Sequence, residues 1–393
     1  MKLKALSIWS GFAEKSPTVP AYQRRVAKLH VGLANVLNGI PGKHPEAEEH
    51  CRESLRILEQ FRLRFPDSEV QQFDEPHAHL WLGSTLTALD RWEEGEQHIR
   101  HAVLFRQRML DVQPDDPGLQ SNLGHGQLYL AQCLLRRSEF LEAERVLQSA
   151  VEIHQQLVDN FPATSAYIRH LAWSLQLQSI SLYGQHRFEE ALKAARKAIE
   201  MGRSSPGDQY ELASLLYRAG EIEEAAELYR SILATFDGLD NDSSLSESKI
   251  TFLIEFLVNC PLTQFRDPER ALKLSNRLLQ QHPLSDEGWF LHGMVEYRRK
   301  NIDEAIESLN KARTLSQSMA NSINVSYFLA MSHHQRGDVD EARRWSEKAR
   351  TDADGRSGLS IVHDFPIQEE VDRVLGNSRE TNQDAKLKVE DKP

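Results

Sequence analysis

Cysteine is scarce in this 393-residue chain. Cys51, Cys133 and Cys260 are the only three, odd in number and far apart. They exclude a disulfide framework or a paired-cysteine metal knuckle and suit a reducing compartment, so a cytoplasmic location is expected. Long apolar runs are missing too: no stretch approaches the ~18 to 20 residues of a membrane span. The opening, with Lys2, Lys4 and a few apolar residues, meets Glu14 and Lys15 too soon for an expected leader peptide. Positive charge is in deficit, with 47 basic against 58 acidic side chains. Such a surface repels phosphate backbones and anionic lipid, so neither nucleic acid nor a membrane is an expected partner.

Recognisable catalytic chemistry is also lacking. No GxSxG, GxxxxGK[ST] or HExxH occurs. Gly124-His125-Gly126 has Tyr129 where a glycine-rich phosphate loop needs its third glycine, and no strand precedes it. The 16 histidines suggest no metal set. His44, Glu48, His50 and Cys51 are close, but His44 falls in a turn while His50 and Cys51 point apart. His98 and His101 share a helix face without a second ligand pair nearby, and His333 and His334 are adjacent. No metal, cofactor or enzymatic activity is expected.

What the sequence does contain is repetition. A small residue in an acidic context returns as Ala47, Gly95, Ala143, Ala191, Ala225, Ala271, Ala305 and Ala342, at intervals of 48, 48, 48, 34, 46, 34 and 37 residues. Pro66, Pro114 and Pro162 keep the 48-residue beat. Twelve residues upstream of most of these markers stands a second small residue: Gly83, Ala131, Ser179, Ala213, Gly293 and Ala330. Ala102, Ala150, Ala198, Ala312 and Ala349 follow seven residues downstream, on the same helical face. Two antiparallel helices come within about 8–10 Å only where their facing side chains are small. Each unit therefore predicts a helix hairpin pinched at its two small residues, with a third notch where the next hairpin docks. The turns are marked by Asp90, Ser138, Gly220 and Gly337, each followed closely by a large apolar plug.

This pattern resembles the tetratricopeptide repeat over roughly residues 20 to 350, most closely at Trp289–Ala312, Gln209–Tyr229 and Ser326–Ala349. The resemblance implies an all-α, right-handed superhelical solenoid of antiparallel helix pairs. Units of 48 residues depart from the usual 34 through longer second helices, ended by proline. Leu257–Pro283 and Tyr327–Ala349 are further similar to the C-terminal repeat region of planctomycete-type bacterial serine/threonine kinases, and His363–Gly376 to their closing helix. The kinase glycine-rich loop, strand lysine, catalytic-loop Asp and Asp-Phe-Gly are absent from the sequence.

Ala5, Pro17, Tyr22, Arg24 and Ala27 match Ala150, Pro162, Tyr167, Arg169 and Ala172 at one constant offset. Met1 is therefore expected to fall inside the second helix of a repeat whose first helix is missing. The expected organisation is one array over 1–237, a polar loop or hinge over 238–248, with Ser244 and Glu247 as a capping box, and a second array with closing helix over 249–376. The tail, 377–393, is expected to be disordered.

In tetratricopeptide arrays the first helices line the concave face. Carried over by position, the groove residues are Tyr210, Tyr217, Arg218, Phe290, Tyr297, Arg298 and Tyr327. Aromatics flanked by arginine suit a peptide with acidic groups, although tyrosine here also serves simply to pack on its neighbour. The chaperone-carboxylate clamp of the family is not carried over, because Leu80, Ser84, Leu128 and Gln132 occupy its positions. The resemblance implies a non-catalytic scaffold that binds a protein or peptide on its concave face, with acidic groups expected in the partner. The alternatives are a regulatory or targeting fragment related to serine/threonine kinases, and an accessory protein with an unrecognised enzymatic site.

Overall fold

A computed structural model describes residues 2–16, 18–40, 42–64, 71–239, 245–315, 319–354, 370, 371 and 373–375, with 71–73, 319–322 and 352–354 described by backbone alone. Pro17, Pro66, Ser244, most of the expected closing helix and the tail lie outside the described residues. Among the described residues there are seventeen α-helices, a 3₁₀ turn at Thr263–Phe265 and no strand. The fold is all-α, built from consecutive helices that pack on one another as antiparallel pairs.

The chain divides into two compact units, Met1–Leu135 with Glu139–Arg203, and Arg136–Ser138 with Ser204–Pro393. The helices of the first are α1 (Lys2–Lys15), α2 (Pro20–Asn38), α3 (His44–Arg64), α4 (Gln71–Ala88), α5 (Trp92–Val112), α6 (Pro117–Arg136), α7 (Phe140–Asn160), α8 (Ser165–Gly184) and α9 (Phe188–Glu200). The second has α10 (Pro206–Ala219), α11 (Ile222–Thr235), α12 (Glu247–Asn259), α13 (Pro268–Gln281), α14 (Asp286–Arg298), α15 (Ile302–Leu315), α16 (Met319–Arg336) and α17 (Val339–Asp354).

The twelve-residue spacing does what the sequence implies. A methyl group on Gly83 would lie 2.5 Å from Ile99 Cγ1 and 2.6 Å from the Gly95 carbonyl oxygen, and one on Gly95 only 2.9 Å from the Gly83 oxygen. Ser179 Oγ donates to the Ala191 carbonyl at 2.9 Å across the next but one hairpin. Ala131, Ala143, Ala213, Ala225, Ala305 and Ala330 have no exposed surface. Backbone closes on backbone at Gly83–Gly95 and at Gly293–Ala305, and leucines such as Leu82, Leu134 and Leu216 are buried in the core around the waists.

The turns share one geometry. Asp90, Ser138, His186, Gly220, Lys300 and Gly337 all have φ between 56° and 93°. The amide of the following residue donates back to a carbonyl of the first helix in every case: Arg91 to Leu86, Glu139 to Leu134, Arg187 to Leu182, Glu221 to Leu216, Asn301 to Glu296 and Asp338 to His333, at 2.9–3.0 Å. This left-handed cap and its long return bond stop the helix and satisfy an end carbonyl. The second helix starts at once on the apolar plug: Trp92, Phe140, Phe188, Ile222, Ile302 or Val339.

The 48-residue units have longer helices. α3, α5 and α7 each run 21 residues, against 14 for α11 and α15. α5 and α7 end immediately before Gln113-Pro114 and Phe161-Pro162. Ion pairs link successive second helices on the surface, Arg52–Glu94 at 2.7 Å, Arg100–Glu142 at 2.6 Å and Glu144–Arg187 at 2.6 Å. Being exposed, each contributes little on its own.

The expected hinge at 238–248 lies partly outside the described residues, and both of its flanks belong to one compact unit. The division falls at Arg203–Ser204, after Gly202 at φ 96°. Rings from both sides of the 238–248 stretch share one aromatic core: Tyr229 lies 5.8 Å from Phe256 and 5.7 Å from Phe265, and Phe236 lies 6.0 Å from Phe252. Arg270 Nη2 also donates to the Phe236 carbonyl at 2.7 Å. α12 is entered through Ser246 in extended geometry.

At the start of the first unit, α1 packs on α2 through Leu6, Trp9 and Ala13, with Trp9 and Tyr22 rings 5.8 Å apart. Leu3, Ile8 and Phe12 remain 66%, 55% and 48% exposed. With one flank uncovered, the α1 amides should exchange with solvent faster than those of α4 or α6, measurable by hydrogen exchange on the monomer. A second expectation concerns the waists: Ala143→Leu, Ala191→Leu and Ala305→Leu should each lower stability by about 1–3 kcal/mol in urea unfolding, because the extra side chain forces the hairpin apart.

Candidate functional site

The seven carried-over groove residues all lie in the second unit, on α10, α14 and α16. Tyr210 is buried, its ring 5.9 Å from both Tyr229 and Phe256 and 6.2 Å from Phe252. Phe290 and Tyr297, one face of α14, both meet Phe328 of α16 edge-on, at 5.8 and 5.7 Å. Tyr327 is 2% exposed. These four rings are packing elements between helices; burial raises the Tyr210 and Tyr297 hydroxyls above their ordinary range, Tyr297 to about 12. Tyr217 and Arg218 are half-buried at the end of α10.

Arg298 is the most highly bonded of the set. Its Nε donates to the Val258 carbonyl at 2.8 Å, Nη2 to Asn259 Oδ1 at 3.3 Å and to Glu370 Oε2 at 2.7 Å, while Nη1 reaches Glu370 Oε1. Its guanidinium also lies 5.5 Å from the centroid of the Tyr297 ring. The result is a two-pronged arginine–carboxylate pair that seats Glu370 on α14, with the next residue, Val371, fully buried. Burial opposes the Glu370 charge, but the Arg298 hydrogen bonds and charge outweigh it and hold the carboxyl below its ordinary value. Sequence reasoning placed Arg298 at a ligand position; the structure puts a carboxylate of the same chain on it.

The first unit gathers imidazoles. His30 and His50 meet through Nδ1 atoms 2.9 Å apart, and His79 and His98 do so at 2.8 Å. His170 lies between His125 and His154, with ring centroids 5.1 and 5.3 Å away. Burial, with His170 alongside, pushes both His125 and His154 down to about 3. Arg106, 3% exposed, donates to the Asn122 carbonyl at 2.6 Å and sits 3.2 Å from His77 Nδ1; burial lowers it to about 10. The three cysteines are buried thiols, and burial pushes Cys51 and Cys260 up to about 12, far from the thiolate a nucleophile or ligand needs.

Two serine–histidine contacts look like the start of a catalytic relay but run the other way. Ser174 Oγ donates to the His170 carbonyl at 2.9 Å, so it accepts from His154 Nδ1 at 2.8 Å. Ser275 Oγ donates to the Leu272 carbonyl at 3.0 Å and accepts from His292 Nδ1 at 3.1 Å. A serine whose proton is committed to the backbone and whose lone pair holds an N–H is not poised for attack.

Among the described residues one cluster has metal-ligand chemistry, and it was missed in the sequence because its halves lie on different helices. α4 carries Glu75 and His79, four residues apart, and α5 carries His98 and His101. His79 Nε2 is 3.9 Å from Glu75 Oε1, and the His79 and His101 rings are 4.2 Å apart. One donor atom from each of Glu75, His79 and His101 falls within 4.8 Å of the others.

Stacked helix hairpins pinched at small residues define the class, a tetratricopeptide-type helical array. Family models described as tetratricopeptide repeat match residues 177–240 with 263–320, and 325–348, so the chain contains these repeats. A TPR repeat-containing protein of Methanocaldococcus jannaschii is 25% identical over 191 residues, covering 49% of this chain; the chain spans only 31% of that protein's length. Among solved structures, yeast Tom70 aligns with 100% of this chain and 89% of its own at 15% identity and TM-score 0.40. Pseudomonas aeruginosa pilF aligns with 68% and 96% at 16% identity and TM-score 0.37. No helix among the described residues is long and apolar enough to cross a membrane.

The buried imidazoles make a pH prediction. His154 is neutral in the folded chain down to about pH 3, whereas in the unfolded chain it takes up a proton near 6.5. As pH falls below 6.5 the unfolded state binds the extra proton, and stability drops. Between pH 7 and pH 5 this one group should remove about 2 kcal/mol. Urea unfolding at the two pH values, compared with the same pair for His154→Leu, should show that much less pH sensitivity in the variant.

Proposed function

We propose that the chain is a non-catalytic tetratricopeptide scaffold that binds a protein or peptide along the first helices of its second unit. The partner is acidic where it meets Arg218 and Arg298, and the setting is the cytoplasm, which suits three buried cysteines with no disulfide between them. The observation that carries the reading is the carboxylate held on Arg298: the position carried over as a groove anchor has the geometry to grip an acidic side chain from two sides. Tyr217 and Arg218, half-buried on the first helix α10, are the contacts a partner reaches without unpacking the core. Tyr210, Phe290, Tyr297 and Tyr327 support these anchors from below as well as setting the shape of the groove.

A second reading is a regulatory or targeting region related to serine/threonine kinases. It is favoured by the phrases Leu257–Pro283 and Tyr327–Ala349, and it names the kinase or its substrates as the partner rather than changing the surface used.

The test begins with a partner captured from native cells and purified. Tyr217→Ala and Arg218→Ala should each weaken its binding about tenfold or more in calorimetry, the range of true interface anchors. Glu370→Gln, which loosens the internal occupant of Arg298, should tighten binding, and Arg145→Ala on α7 should leave it unchanged. Loss of binding in the Arg145 variant alone would move the surface to the second helices.

A further inference from the structure

The donors on α4 and α5 converge without any help from neighbouring sequence. In α4 the four-residue step from Glu75 to His79 puts both side chains on one face. In α5 the three-residue step from His98 to His101 does the same. The close approach of Gly83 to Gly95 fixes the register of the two helices and brings these faces together. Glu75, His79 and His98 are partly buried, while His101 is exposed and leaves a path from solvent.

We propose that Glu75, His79 and His101 form a binding site for one divalent transition-metal ion, with zinc the ion best suited to the donors. Two imidazoles and a carboxylate are the borderline-hard set that zinc accepts, and three protein ligands leave a coordination position for water or for a partner's side chain. His79 presents Nε2 to Glu75 at 3.9 Å while its Nδ1 lies 2.8 Å from His98 Nδ1. With His98 as acceptor, His79 carries its proton on Nδ1 and keeps the Nε2 lone pair for the metal. His98 is thus a positioning residue that sets the tautomer and ring angle of a ligand, the usual task of the group behind a metal-bound histidine. Donor atoms within 4.8 Å close onto a zinc ion by side-chain rotation, since ligands about 2.0–2.2 Å from a tetrahedral metal lie some 3.3–3.5 Å apart. Arg62, with Nη1 3.9 Å from Glu75 Oε1, is more than half exposed and can turn outward when a cation enters. Bound there, the ion ties the two helices of one hairpin together.

The experiment uses the full chain without an affinity tag, stripped with a chelator and titrated with zinc in a calorimeter and with cobalt in a visible spectrometer. The expected result is one ion per chain, with the visible bands of a nitrogen–oxygen cobalt site and a raised melting temperature. Glu75→Gln and His101→Ala should each weaken binding about 100-fold, and His98→Ala about tenfold. His50→Ala, which disrupts the other close imidazole pair, should bind like wild type. His101 is exposed, so its variant will fold, and circular dichroism verifies this for all four. The proposal is overturned if wild type takes up no stoichiometric zinc or cobalt, if Glu75→Gln and His101→Ala bind as wild type does, or if His50→Ala abolishes binding.

Discussion

Everything in this protein hangs on how closely two helix backbones can approach. At Gly83 and Gly95 a carbonyl oxygen stands where a side chain would begin, and at Ser179 and Ala191 a hydroxyl spans the same gap. Such contact excludes nearly every residue but glycine, alanine and serine from the waist. It also sets the register of each hairpin, which then decides what faces what for several turns on either side. The leucine core, the surface ion pairs and the meeting of Glu75 with His101 all follow from that register.

Much of the fold was legible because this constraint leaves a mark in the sequence. Small residues twelve apart gave the hairpins, and the large apolar residue expected after each turn is the first residue of a second helix. The turns were less legible. Gly220 and Gly337 announce a left-handed residue, but His186 and Lys300 adopt the same conformation without glycine, held there by packing and by the return hydrogen bond. The stretch 238–248 is a related case. A polar stretch looks like a hinge in sequence, yet the rings of Tyr229, Phe236, Phe252 and Phe256 lie far apart along the chain and only fold into one core.

The site was harder to read than the fold. Position within a repeat says that a residue sits on a first helix; it does not say how deep. Tyr210 and Tyr327 hold the same helical register as Tyr217 would, one or two turns away, but are enclosed by neighbours. The partner of Arg298, Glu370, is separated from it by more than two repeats and has no periodic signal. The Glu75, His79 and His101 set could have been found: with Gly83 opposite Gly95, residue 79 falls opposite 98–99 and residue 75 near 101–103. Reading histidines within single helices, rather than across the hairpin, concealed it.

The long hairpins of the first unit have a different character at their two ends. Relative to the 14-residue helices α10 and α11, α6 and α7 carry 20 and 21 residues, roughly two additional turns each, beyond the waist and away from the connecting turn. Those added layers are not simply more core. They hold Arg106 bonded to the Asn122 carbonyl, and His154 bonded to Ser174, where a shorter repeat has already ended. These polar groups are buried among Leu123, Leu157 and Leu171, just as Thr85, Thr87, Ser179 and Ser181 are buried near the waists. The far end of a long hairpin is therefore where pH acts: protonating His154 places a charge in the interior there, while the small-residue contact at the waist carries no titratable group.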